Sequence, residues 1–135
     1  MGRSEAELKQ MLGEERAKRV LGQRPQPAAS PAPAGMNRTE AAYSRRLDRM
    51  MSAGEVLAWR YEALTFRLGH RCNYTPDFLV ITPVEVQIHE VKGGFVREDG
   101  LIKWKLAAER HPEFRFFLCR LVKQQWSIEE YKGGR

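Results

Sequence analysis

The chain has 135 residues, 42% of them hydrophobic, which suits one compact domain with a real core. No run reaches the ~18 consecutive apolar residues of a membrane span. The start, MGRSEAELKQ, is charged and lacks an apolar signal-peptide centre, so no membrane role is expected and the cytoplasm is the expected location. The formal charge of +6 suggests a polyanionic partner, of which nucleic acid is the commonest.

Residues 4–21 are predicted helical, with Ser4 as cap and Glu7 three positions on, but Leu8, Met11, Leu12 and Val20 give only a ragged apolar stripe. Residues 22–35, GQRPQPAASPAPAG, carry four prolines among Ala, Ser and Gly and read as a linker. Residues 1–35 therefore form a helix and linker, and 36–135 the folded domain. A helix is predicted over 37–52, where Tyr43, Leu47, Met50 and Met51 recur at helical spacing, with Gly54 as its cap. Residues 57–68 read as one strand whose inner face carries Leu64, Phe66 and Leu68, and 69–73 as a turn. Strands follow at 76–81 and 85–92, then a loop at 93–100 that is flexible by composition. A short helix over 101–111 is stopped by Pro112. Residues 114–122, FRFFLCRLV with Pro112–Glu113 just ahead, read as a buried strand, and 126–131 as a final edge strand. The fold class is α/β, a small central mixed sheet flanked by helices.

Ionised groups on an apolar strand are costly unless paired or bound to a metal, so Asp77, Glu90 and Lys92 call for an account. Period two sets Asp77, Leu79 and Ile81 on one face of the first strand of a hairpin. It sets Val84, Val86, Ile88, Glu90 and Lys92 on one face of the second. Matching the apolar residues pairs Ile81 with Val86 and Leu79 with Ile88, and places Asp77 opposite Glu90, at a Cβ separation of roughly 5 Å. Two carboxylates that close repel unless a cation lies between them, and such pairs are hard oxygen ligands suited to Mg²⁺ or Mn²⁺. The alternative is a structural Glu90–Lys92 ion pair at a strand end. Glu40, on the stripe of Tyr43, Leu47 and Met51, has two readings: a third metal ligand, or the partner of Asn37 in a capping box.

This array of Glu40, Pro76–Asp77 and Glu90–Val91–Lys92 resembles the PD-(D/E)XK nuclease superfamily. More closely, MNRTEAAY, YTPDFLV and HEVKGG resemble a group of small phage and prophage proteins assigned to it, over residues 36–131. The spacing of Asp77 to the Glu-x-Lys is similar to that of archaeal-type Holliday-junction resolvases. The resemblance implies a restriction-endonuclease-like core of helix, three strands, helix and strand. It implies that Asp77, Glu90 and the Val91 carbonyl hold Mg²⁺ or Mn²⁺, that Lys92 orients or activates the attacking water, and that Glu40 completes the metal shell. The implied activity is a structure-specific endonuclease that acts on branched DNA, in the manner of a Holliday-junction resolvase, as a homodimer. The alternatives are a DNA-binding protein without catalysis on the same fold, and a nuclease directed at RNA.

Other residues are weaker candidates. Arg97, Lys103 and Lys105 are candidate phosphate contacts, set against solvated surface charge. Glu62 is read as a structural partner of Arg60 or Arg67 on the inner face, set against a further acidic ligand. His70, Cys72 and His89 lack zinc-ligand spacing, and Cys72 and Cys119 read as inert thiols. Trp59, Trp104 and Trp126 read as packing residues.

Overall fold

The computed structural model describes residues 34–133. The helix expected over 4–21 and nearly all of the linker expected over 22–35 lie outside the described residues. Contacts divide the chain into two compact units: the described residues through Trp59 with Val80–Glu85, and Arg60–Leu79 with the residues from Val86 onward.

In the first unit helix α1 spans Arg38–Ser52. Asn37 caps it: its side chain accepts from the Glu40 amide at 2.8 Å, while the Glu40 carboxylate accepts from the Asn37 amide at 3.1 Å. These reciprocal bonds satisfy two amides that the first turn would leave without partners, and such a cap is typically worth about 1 kcal/mol. The stripe of Tyr43, Leu47 and Met51 is buried, as the periodicity predicts. The cap residue at the other end is Ala53, and Gly54 follows at φ +81°, a left-handed conformation that glycine adopts at little cost. Within the same unit Trp59 Nε1 donates to Asp48 at 2.9 Å. Thr82 turns the chain by accepting from the amides of Val84 and Glu85.

The strands are β1 (Ala58–Tyr61), β2 (Phe66–Gly69), β3 (Cys72–Tyr74), β4 (Phe78–Ile81), β5 (Val86–Gly93), β6 (Arg115–Val122) and β7 (Gln125–Glu130). Five of them form a sheet in the order β1-β4-β5-β6-β7, and β2 and β3 form a separate two-stranded sheet. β5 and β6 run parallel in register from Gln87–Arg115 to Gly93–Leu121, and β6 and β7 are antiparallel, so the sheet is mixed. Parallel neighbours need a crossover. Here it is a 3-10 turn (Glu98–Leu101) followed by helix α2 (Ile102–Arg110). The α2 residues Trp104, Ala107 and Ala108 form a buried cluster with Ile88, Phe116 and Leu118 of the sheet and with Phe66, Leu68 and Tyr74 of β2 and β3. The fold is thus mixed α/β, and among the described residues no helix is long and apolar enough to cross a membrane.

Three sequence expectations are corrected. The strand expected over 57–68 is broken: β1 ends at Tyr61, Glu62 takes φ +50°, and β2 starts again at Phe66 in the other sheet. Glu62 is therefore exposed and is not on an inner face with Leu64 and Phe66. The turn expected over 69–73 is tighter, because Arg71 takes the left-handed conformation (φ +53°) and β3 begins at Cys72. The loop expected over 93–100 already contains the start of the 3-10 turn.

Candidate metal centre

Asp77 lies just ahead of β4, and β5 runs on past it to Gly93. Strand-edge amides in that overhang need an acceptor that is not a strand partner. The Asp77 carboxylate supplies it: its Oδ2 accepts from the Val91 amide at 2.8 Å. The Asp77 carbonyl in turn accepts from the Glu62 amide at 2.8 Å, so main chain and side chain both fix its position. In an extended strand the N–H and C=O of one residue leave from the same edge. The Val91 carbonyl therefore projects from the edge that carries the Asp77 carboxylate. Asp77 is thereby bonded to the peptide that follows Glu90.

Glu90 is on the sheet face that α2 covers, beside Leu118 in register on β6 and in line with Ile88. Asp77 and Glu90 are only 9% and 8% exposed, which rules out solvent as the main screen of their charges. Two donors address Glu90: the Tyr74 hydroxyl reaches Oε1 at 2.5 Å, and Lys92 Nζ lies 3.3 Å from Oε2. Tyr74 was not singled out in the sequence, and the only signal there is its place three residues before Asp77. Burial first, then the charge of Glu90 and its hydrogen bond, then the charge of Asp77, push the Tyr74 phenol far above its ordinary range. Tyr74 is therefore a neutral donor that sits in the negative field of both carboxylates.

Lys92 keeps 35% of its side chain exposed and so faces the solvent side. A groove of about 300 Å³ opens beside it, lined by Phe95, Val96, Arg97, Asp99 and Gly100. Arg97 lies 3.6 Å from Asp99, with both exposed. Lys103 Nζ donates to the Asn73 carbonyl at 3.0 Å and so ties α2 to β3, while Lys105 is half-buried on the same helix near Tyr131. Glu40 belongs to the first unit, in the capping box described above. Among the described residues no three His, Cys, Asp or Glu side chains gather into a metal-holding group. His89 is buried against Gln87 and Phe117, with no zinc-ligand set around it.

The donor set suits a hard divalent cation. Two buried carboxylates and a main-chain carbonyl are all oxygen ligands, and each carboxylate oxygen can accept from more than one partner. Two buried carboxylates gathered at one strand segment also repel, which a bound dication would relieve. Comparison with family models, curated proteins and solved structures returns no match for this chain.

Proposed function

We propose that the protein is a Mg²⁺- or Mn²⁺-dependent endonuclease with a restriction-endonuclease-like core, hydrolysing DNA phosphodiester bonds in the cytoplasm. The observation that carries this reading is the bond from the Val91 amide to Asp77, with Glu90 and Lys92 on either side of that peptide. Asp77, Glu90 and the Val91 carbonyl would hold the metal. Bound there, it would supply Lewis-acid stabilisation of the phosphoryl oxygens and a more acidic water. Tyr74 orients the Glu90 carboxylate from the buried side. Lys92, at the solvent side, binds the phosphate and places positive charge where negative charge develops in hydrolysis. The resolvase-like spacing of Asp77 to Glu90–Val91–Lys92 extends the reading to shape recognition of branched DNA by a symmetric homodimer. Arg97 and Phe95 border the groove through which a strand would reach Lys92.

A second reading has its own observation. Both oxygens of Glu90 already have donors in Tyr74 and Lys92, as in a purely structural ion pair on a DNA-binding protein. Cleavage assays on four-way junction, flap, duplex and single-stranded DNA, and on RNA, with Mg²⁺, Mn²⁺ or EDTA, decide between them. Metal-dependent cutting that Asp77→Asn abolishes supports the nuclease. Binding to DNA without cutting in any metal supports the second reading.

A further inference from the structure

β5 and β6 are the parallel pair of the sheet, and ligands of α/β sheets gather at the carboxyl ends of such strands. In this pair Lys92 stands in register with Arg120, so both side chains leave the same face, with strands about 4.8 Å apart. Like charges set side by side on adjacent strands destabilise a sheet. Arg120 has a further cost: its Nε is buried and, among the described residues, has no hydrogen-bond partner. Glu129, diagonal to it on the same face of β7, forms no ion pair with it. A buried donor left unsatisfied is destabilising. Its register neighbour on β7 is Ser127, which carries no charge to offset it.

We propose that Arg120 is a phosphate-binding residue, and that with Lys92 it seats a backbone phosphate of the nucleic-acid substrate next to the Asp77–Glu90 centre. This deepens the nuclease reading and rests on it. The occupant's chemistry follows from the page: two cations side by side at strand ends, one with an idle buried N–H, match a doubly coordinated phosphate oxygen pair. Glu90 neutralises Lys92 in the free protein, and a bound metal would draw Glu90 away from it. Arg120 has no such competitor.

The test is binding of fluorescent DNA, as duplex and four-way junction, in Ca²⁺ across a salt series, together with thermal melts. The variants are Arg120→Met, Arg120→Lys and, as a charge control in the exposed β6–β7 turn, Lys123→Gln. Arg120→Met is expected to weaken binding at least tenfold and to lower the slope of log affinity against log salt by about one phosphate contact. It is also expected to raise the melting temperature, because it removes a buried donor without a partner. Arg120→Lys is expected to restore the slope and part of the affinity. Opposite signs on affinity and stability are what a merely structural arginine would not give. The proposal is overturned if Arg120→Met weakens binding no more than Lys123→Gln, or if affinity and melting temperature fall together. A wild-type protein that cuts DNA while Arg120→Met binds normally would sink this inference and leave the nuclease standing. A wild-type protein that neither binds nor cuts nucleic acid would remove both.

Discussion

Two glutamates of the same sheet differ in the groups that hold them. Glu130, on β7, meets the fork of Arg115 at 2.7 and 2.6 Å and Lys132 at 2.9 Å. The Arg115 guanidinium also lies over the Phe117 ring, 5.2 Å from its centroid. The Arg115 bonds, followed by that of Lys132, pull the Glu130 carboxyl down to about 2. Two cations against one carboxylate leave no negative charge to neutralise, and the cluster serves the sheet edge. Glu90, on β5, meets the neutral Tyr74 phenol and Lys92, with the Asp77 carboxylate across the next peptide. On the proposed reading, a carboxylate held by two cations serves the fold, whereas one oriented by a neutral donor beside a second carboxylate would take a cation.

Substitutions can break this contrast at either end. The largest effect is expected from Glu90→Gln and Asp77→Asn, each costing at least ~100-fold in metal-dependent cleavage. Both should melt near or above the wild-type temperature, because each removes one of two repelling charges while keeping a hydrogen-bond acceptor. Wild-type cutting, or an unfolded variant, would place these residues with Glu130 as structural. Lys92→Ala is expected to lose a comparable share of turnover but to keep Mn²⁺ affinity by calorimetry, since the lysine stands beside the ligands; loss of affinity equal to that of Asp77→Asn would contradict its role.

Tyr74→Phe is the sharper probe. It takes away the neutral donor and leaves a buried carboxylate short of a partner, for about 1–3 kcal/mol of stability and roughly tenfold in rate. Denaturant unfolding with and without Mn²⁺ reads it, and the metal is expected to recover part of the loss. No change in either would mean that the hydroxyl is ornamental to Glu90.

Glu130→Gln should have the smallest effect: about 1 kcal/mol of stability at pH 7 and unchanged cleavage. Its folded carboxyl titrates near 2 against an ordinary 4.5, so its contribution is complete above 4.5 and fades as pH falls toward 2. Unfolding curves at pH 7 and pH 3 should therefore converge for wild type and variant. A cleavage defect in this variant would end the comparison.

Local signals made some of this legible in advance. Asn37-x-x-Glu40 and the stripe of Tyr43, Leu47 and Met51 determined α1, because capping and amphipathicity are short-range. The continuous apolar run over 115–122 announced β6, a strand buried next to β5. Period two also brought Asp77 to the Glu90–Val91–Lys92 segment. The turns at 69–73 and after Val122 were legible as breaks between apolar runs, but the break at Glu62 was not. It places φ +50° on a residue other than glycine, so the usual turn signal is missing.

The sequence by itself determined the capped helix α1, the buried strand β6 and the placing of two carboxylates and a lysine at strand spacing. Only the tertiary structure decided which groups those carboxylates meet. Tyr74 is 16 residues from Glu90 and belongs to the other sheet, and Arg120 is 28 positions beyond Lys92, beside it only because β5 and β6 run parallel in that register. Residue type and periodicity act over a few positions, whereas a hydrogen-bond partner or an uncompensated charge is set by which strands lie side by side, and that is fixed by burial of the whole core.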